Sequence, residues 1–144
     1  MPVTKTSNYD IFYKDEGDGF PVFLIHGLAG DHKAWLEQIE YFKSSYRMIA
    51  VDNPGSGNSS PVTNPCSTQD LANTMLEVME NLSVDKAHIV GRSLGGFIGQ
   101  WMANIRPEFV KSLVISASAA KVDPIGTRIL KNMKEILEWR DNWT

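Results

Sequence analysis

Short apolar runs that alternate with helical patterns constrain the fold of this chain more than any other feature of its sequence. Four largely apolar runs occur: 21–25, 46–51, 87–90 and 111–117. Runs of this kind are typical of strands that are buried on both faces of a parallel sheet. Because helical patterns lie between the runs, the sequence predicts an α/β fold with a mostly parallel sheet and helices on both of its faces. A length of 144 residues allows one such domain.

Polar residues predict where the helices begin. Residues 67–70, Ser-Thr-Gln-Asp, resemble a capping box with aspartate in place of the usual glutamate. Asp31 is placed to cap the helix after the first apolar run, and Asp123 with Pro124 is placed to start the last helix. Ahead of the first run, residues from about 3 to 15 alternate weakly and predict one or two edge strands.

The pentapeptide Gly91-Arg92-Ser93-Leu94-Gly95 follows the third apolar run and opens a helical pattern. Between a strand and a helix, a G-x-S-x-G sequence places its serine on a sharp turn, with the hydroxyl raised above the end of the sheet. The glycines leave room where a Cβ would collide with the neighbouring strand and helix. Ser93 is therefore predicted to be a nucleophile, and the N–H of Leu94 is predicted to stabilise the negative charge that develops during its attack.

Two further loops, at residues 26–30 and 52–59, also follow buried strands. The carboxyl ends of parallel strands meet at one edge of a sheet, and sites in such folds lie in the crevice beyond that edge. We therefore expect both loops to lie near the nucleophile. The N–H of Leu28 is the predicted second donor of an oxyanion hole, and His26 and Gly27 are predicted to organise its loop.

The other polar candidates also have structural interpretations. His26 precedes the donor instead of facing the nucleophile, so loop organisation is favoured over proton transfer. His32 is predicted to be solvated at a helix start. His88 is predicted to be a residue of its strand that either has its hydrogen bonds satisfied or faces the edge. Asp52 is predicted to hold the turn that follows it through backbone N–H groups. Arg92 is assigned to substrate binding, with a structural ion pair as an equal alternative.

Composition argues against several classes of partner and cofactor. The net charge of −3 gives no reason to expect nucleic acid or an anionic membrane as a partner. The sequence shows neither a basic-apolar leader nor an apolar run of about 18 residues, and its one cysteine, Cys66, allows no internal disulfide. The histidines and the cysteine lack the spacing of metal ligands, and residues 53–57 lack the pattern of a nucleotide-binding loop. We therefore expect a cytoplasmic protein with no metal and no cofactor.

Taken together, these motifs resemble the α/β-hydrolase superfamily, and within it small cap-bearing serine hydrolases such as 3-oxoadipate enol-lactonases and related esterases. Four segments carry the resemblance, in the order of that family: 22–27, 52–59, 88–96 and 106–114. The resemblance implies hydrolysis of a small carboxylic ester or lactone through an acyl-enzyme at Ser93, with oxyanion donors at Leu28 and Leu94. It also implies two parts, with residues 1–120 as the N-terminal part of the hydrolase core and residues 121–144 as the beginning of a helical cap.

The sequence departs from the family pattern at the catalytic base. In this fold the triad runs serine, acid, histidine along the chain, yet the last histidine of the sequence, His88, precedes Ser93. After the fourth apolar run the nearest carboxylate is Asp123, whose proline neighbour favours a helix cap. We therefore interpret the sequence as the N-terminal half of a hydrolase, truncated at the start of the cap, and expect little activity from this chain alone.

The missing base leaves alternatives open. A non-catalytic protein that binds a small apolar ligand or another protein could use the same fold. A C–C bond hydrolase or a cofactor-free perhydrolase would share the same site. A truncated sheet would also make the strand at 111–117 an edge strand, so self-association through this edge is expected.

Overall fold

A computed structural model describes the backbone of residues 2–141 and the side chains of residues 2–132. In that part of the chain one sheet holds six strands: β1 (Val3–Lys5), β2 (Asp10–Glu16), β3 (Phe20–Ile25), β4 (Tyr46–Val51), β5 (Ala87–Arg92) and β6 (Val110–Ser116). Their order across the sheet is β1-β2-β4-β3-β5-β6. The pairs β1·β2 and β2·β4 are antiparallel, whereas β4, β3, β5 and β6 run parallel. The predicted α/β fold with a mostly parallel sheet is confirmed.

The helices lie between and after these strands, at the places that the apolar patterns predict. They are α1 (Leu36–Phe42), α2 (Thr68–Asn81), α3 (Leu94–Ile105) and α4 (Pro124–Asp141), with short 3-10 turns at His32–Trp35 and Pro107–Phe109. No helix among the described residues is both long enough and apolar enough to cross a membrane.

The predicted capping residues make the expected contacts. Asp31 Oδ1 accepts a backbone N–H of the following 3-10 turn at 2.8 Å. Ser67 and Asp70 form a reciprocal capping box: Ser67 Oγ accepts the Asp70 N–H at 3.2 Å, and Asp70 Oδ2 accepts the Ser67 N–H at 2.8 Å. The hydroxyl and then the N–H of Ser67 hold the pKa of the Asp70 carboxyl below its ordinary value. Asp123 Oδ1 accepts the Gly126 N–H at 2.6 Å, so its carboxylate caps α4.

The central strands are buried on both faces, and alternate residues face two different cores. On one face the strands pack against α2 and α3; there Phe23 of β3 shares a core with Met75 of α2. On the other face Leu24 shares a smaller core with Trp35 and Ile39, which come from the first 3-10 turn and α1. Helices therefore cover both faces, and the carboxyl ends of β3, β4 and β5 lie together at one edge.

Within the described residues β6 is an edge strand, as predicted, and its Val114 side chain is 52% exposed. Beside it, the sheet face that carries α1 has an open apolar cleft of about 310 Å³. The cleft is lined by the first 3-10 turn, α1 and alternate residues of the four parallel strands: Val22, Leu24, Trp35, Gln38, Phe42, Tyr46, Met48, His88, Val90, Ser112 and Val114.

α4 follows the sheet and exposes the apolar residues Ile125 and Ile129. The side chains of residues 133–141, and residues 142–144 entirely, lie outside the described residues. These positions include the end of the expected cap region, residues 121–144.

Candidate active site

Ser93 joins β5 to α3 and has a strained backbone. Its φ of 52° and ψ of −114° are values that a residue with a Cβ rarely adopts. Two hydrogen bonds hold the turn: the Ser93 N–H donates to the Ser116 carbonyl at 2.9 Å, and the Ser93 carbonyl accepts the Gly96 N–H at 2.9 Å. The sharp turn that the G-x-S-x-G sequence predicts is therefore present between this strand and helix.

Two glycines allow this turn to pack tightly against the sheet. A Cβ on Gly95 would lie 2.1 Å from the carbonyl oxygen of Ile25 in β3, and a Cβ on Gly91 would lie 2.2 Å from the carbonyl oxygen of Gly95. Both obstacles are backbone atoms, which cannot rotate away. Only glycine fits where β3, β5 and α3 meet.

The loop after β3 lies directly beside the nucleophile candidate. A Cβ on Gly27 would be 3.1 Å from the Ser93 Cβ and 3.7 Å from its Oγ. Leu94 is the first residue of α3, where the helix dipole favours negative charge. Among the described residues, neither the Leu28 N–H nor the Leu94 N–H donates to a protein acceptor. Two free amides near a hydroxyl can stabilise an oxyanion if both point to the same place.

His26 is 1% exposed, and both of its ring nitrogens are engaged. Its Nε2 accepts the Asn53 N–H at 2.9 Å, and its Nδ1 lies 2.7 Å from the Gly27 carbonyl oxygen. Because a carbonyl only accepts, the ring proton is on Nδ1. Neither nitrogen is free to take a proton from Ser93, and the contacts favour the interpretation that His26 organises the loop.

His32 is buried, so the prediction that it is solvated is wrong. Its backbone N–H and its Nδ1 both donate to Asp52 Oδ1, at 2.6 and 2.8 Å, and its ring packs on Phe12 with centroids 4.8 Å apart. Asp52 Oδ2 accepts the Asn58 N–H at 2.8 Å. Asp52 thus holds its own turn, as predicted, and also binds a helix start that the sequence pattern did not connect to it.

Neither His32 nor His88 lies where it could activate Ser93. The His32 ring packs on β2 and is bonded to Asp52, directly after β4; β3 separates β4 from β5, so at about 4.8 Å between strands these two strands are about 10 Å apart. His88 lies near the start of β5 and Ser93 follows its end, which leaves about 16 Å of extended chain between them. His88 is instead bonded to Ser112 Oγ at 2.6 Å, in agreement with its structural interpretation.

Arg92 ends β5, and its side chain is exposed. The arginine ion pairs formed among the described side chains are those of Arg47 and Arg106. The alternative in which Arg92 forms a structural ion pair therefore finds no partner in residues 2–132, and contact with a substrate stays a prediction.

A family model described as the alpha/beta hydrolase fold matches residues 21–143. The match includes the Ser93 turn, the loop after β3 and the loop after β4. The chain belongs to the α/β-hydrolase family. The family explains why the strained serine turn and the two loops occur at the same edge of the sheet, since sites in open α/β folds lie beyond the carboxyl ends of the strands.

Two curated relatives and one solved structure illustrate the similarity. (E)-2-((N-methylformamido)methylene)succinate hydrolase from Acinetobacter baylyi is 32% identical over 110 residues, which cover 76% of this chain and 42% of that protein. 3-Oxoadipate enol-lactonase 1 from the same organism is 32% identical over 101 residues, which cover 70% and 38%. The crystal structure of a hydrolase from Pseudomonas aeruginosa matches with a TM-score of 0.86 and 26% identity, over 94% of this chain and 52% of that one. The chain spans about half, or less, of the length of these relatives.

Among the described residues of this α/β-hydrolase chain, one group has the side chains and the spacing of metal ligands. The ligand atoms of Asp31, His32 and Asp52 all lie within 4.8 Å of one another, a proximity that sequence spacing did not predict. His32 Nδ1 donates to Asp52, however, and Asp31 caps the 3-10 turn. These atoms already serve hydrogen bonds of the fold, and we assign no metal to them.

Proposed function

We propose that the protein is a serine hydrolase that acts on a carboxylic ester or lactone through an acyl-enzyme at Ser93. Ser93 Oγ attacks the carbonyl carbon while its proton passes to water, and the carbonyl oxygen takes the negative charge. Collapse of this intermediate breaks the bond to the alcohol oxygen, which leaves with a proton. Water then hydrolyses the acyl-enzyme, which releases the acid and restores the serine hydroxyl. The N–H groups of Leu28 and Leu94 donate to this oxygen. The observation that carries the proposal is the strained Ser93 turn, which lies against Gly27 at the start of α3. The substrate class is supported by a relative that is named as an enol-lactonase.

A chain of this sequence alone is expected to be a slow catalyst, because none of its histidines lies where it could take the Ser93 proton. Triad enzymes that lose a member keep a residual acceleration of about 10³–10⁴ over water, from the oxyanion hole and binding. An acid and a histidine supplied by another segment would restore full activation of the nucleophile.

Labelling with a fluorophosphonate, followed by intact mass, tests the nucleophile directly. We expect the label on the unmodified chain and on Ser112→Ala, which removes the serine that is bonded to His88, but not on Ser93→Ala. Hydrolysis of a p-nitrophenyl ester should barely exceed that of Ser93→Ala. Added imidazole, which hydrolyses such esters by itself, should raise the rate of the unmodified chain by more than it raises the rate of Ser93→Ala. Equal labelling of the Ser93→Ala variant would contradict the proposal.

The division of the chain into two parts is also a proposal. We propose that residues 1–120 form the N-terminal part of the hydrolase core and that residues 121–144 begin a helical cap. The support is that α4 starts at Pro124 and presents Ile125 and Ile129 to solvent. Limited proteolysis should cut first between β6 and α4, and an initial cut inside the core would contradict this division.

A non-catalytic binding protein on the same fold is the second candidate. It is favoured by the position of the three histidines, none of which reaches Ser93. The labelling experiment discriminates between the two candidates, because a binding protein needs no reactive serine and would carry no label at Ser93.

A further inference from the structure

The loops that follow β3 and β4 are joined by two histidine contacts. His26 and His32, at the two ends of the loop after β3, bind Asn53 and Asp52, which are neighbours directly after β4. All four residues are buried. Residues 27–31 are therefore held at both ends by one short stretch that follows the neighbouring strand.

The contacts of His26 determine the direction of the Leu28 N–H. Asn53 donates to His26 Nε2, so the ring proton on Nδ1 is donated to the Gly27 carbonyl, 2.7 Å away. The same carbonyl accepts the Gly30 N–H at 3.2 Å. A trans peptide is planar, with its C=O and N–H pointing in opposite directions. Because the Gly27 carbonyl is held by two donors, the Leu28 N–H of the same peptide points away from them.

Asn53 holds the backbone of His26 as well as its ring. Its Nδ2 donates to the His26 carbonyl at 3.1 Å, and the residue is 2% exposed. The backbone N–H and the side-chain amide of Asn53 thus contact two different parts of His26. This two-point contact restricts rotation of the residue that directly precedes Gly27.

The contact between His32 and Asp52 holds the other end of the loop. Asp52 Oδ1 accepts both the backbone N–H and Nδ1 of His32, and its Oδ2 accepts the Asn58 N–H. A Cβ on Gly57 would lie 2.1 Å from that Oδ2, so the turn closes tightly over the carboxylate. The Asp52 carboxylate is held by its own turn, and it therefore holds the end of the loop, residues 27–31, that carries the Leu28 amide.

We propose that Asn53 and His32 are positioning residues for the Leu28 amide. The inference rests on the proposed function, acyl transfer at Ser93. Neither residue contacts a reacting atom; both act through the loop that carries the donor. An oxyanion hole works because its donors are held in place before the charge develops, and a misplacement of about 1 Å can cost about 100-fold in rate.

Four variants separate positioning from general stability. Asn53→Ala removes the side-chain bond to the His26 carbonyl. His32→Phe keeps a ring against Phe12 but removes the Nδ1 donor, and His32→Asn restores a donor near the position of Nδ1. Thr74→Val is the matched control, since it removes a buried hydroxyl that bonds, over 3.1 Å, to a carbonyl within α2 and makes no hydrogen bond to the loop.

Fluorophosphonate labelling of Ser93 and amide hydrogen exchange of Gly30 are measured on the folded proteins. We expect Asn53→Ala and His32→Phe to label about 10- to 100-fold more slowly and to exchange Gly30 faster. His32→Asn and Thr74→Val should label and exchange like the unmodified chain.

Each alternative outcome overturns a different step. Unchanged Gly30 exchange in the Asn53→Ala and His32→Phe variants would show that these residues do not hold the loop. Faster exchange with unchanged labelling would show that the loop position does not matter for Ser93. Failure of the unmodified chain to label at Ser93 would overturn the proposed function and the positioning role together, whereas the exchange data would still show whether the contacts hold the loop.

Discussion

Replacement of Gly95 by alanine should destabilise the protein far more than replacement of Gly99 in the same helix. A Cβ on Gly95 would lie 2.1 Å from the Ile25 carbonyl oxygen, which is part of the sheet backbone. A Cβ on Gly99 would lie 2.8 Å from Leu113 Cδ1 and 3.3 Å from Ile89 Cγ2, the ends of side chains that can rotate. The two substitutions add the same methyl group to α3 but meet obstacles of different stiffness.

The expected difference follows from two opposing terms. Overpacking a rigid site lowers the free energy of unfolding by about 3 kcal/mol, the upper end of the usual range. Alanine in place of glycine in a helix raises it by up to about 1 kcal/mol. Gly95→Ala should therefore lower the free energy of unfolding by about 2 kcal/mol or more, equivalent to roughly 4–8 °C in Tm for a domain of this size. For Gly99→Ala, a clash of about 1 kcal/mol is offset by the gain in helix propensity, so its stability should stay close to that of the unmodified chain.

Urea unfolding followed by far-UV circular dichroism measures the difference between the two variants. Gly95→Ala should also lower fluorophosphonate labelling of Ser93, because displacement of Ile25 moves the loop that carries the Leu28 amide. The reasoning about backbone obstacles would be refuted if Gly95→Ala and Gly99→Ala had the same urea midpoint and slope.

Three further predictions concern strain, capping and the sheet edge. Ser93→Gly should raise the free energy of unfolding by about 1 kcal/mol in urea, because glycine adopts a φ of 52° with little strain; a variant no more stable than Ser93→Ala would contradict this. Ser67→Ala should lower the free energy of unfolding by about 1 kcal/mol. Because the pKa of Asp70 is lowered in the folded state, the stabilisation from its charge is present above the unfolded pKa and is lost as the pH falls through the folded pKa. The free energy of unfolding of Asp70→Asn should therefore approach that of the unmodified chain as urea unfolding is repeated at lower pH. The chain should self-associate through the open β6 edge and the apolar face beside it. Val114→Lys, at a 52% exposed position, should lower the sedimentation coefficient toward that of a monomer. A monodisperse monomer of the unmodified chain would refute the association.

Local signals in the sequence were sufficient to predict the secondary structure. The strand at Tyr46–Val51 has the predicted bounds, and the strand at Val110–Ser116 differs from its prediction by one residue at each end. The capping box at residues 67–70 is a contact between residues three apart, so the sequence contains both partners within one helical turn. Signals of this kind depend only on neighbours along the chain.

The environment of His32 could not be predicted in the same way. Its partner Asp52 is twenty residues away in the sequence, and the two meet only because β3 and β4 are neighbours in the sheet. The aromatic ring that covers His32 comes from β2, which pairs with β4 from the other side. A polar residue at a helix start is usually solvated, and here the order of the strands overrides that tendency.

The same distinction separates the two halves of the candidate site. The Ser93 turn is indicated by five consecutive residues, Gly91 to Gly95, so the sequence predicts it although the turn is also held by a hydrogen bond to the Ser116 carbonyl. The proposed donor at Leu28 depends instead on the position of β3 between β4 and β5. In that position the loop after β3 meets Asn53 on one side and Ser93 on the other. A sheet with β3 at its edge could keep the serine turn, but the loop after β3 could then contact only one of these neighbours. The Leu28 amide would then lose either the contacts with Asn53 that hold its loop or its position beside Ser93.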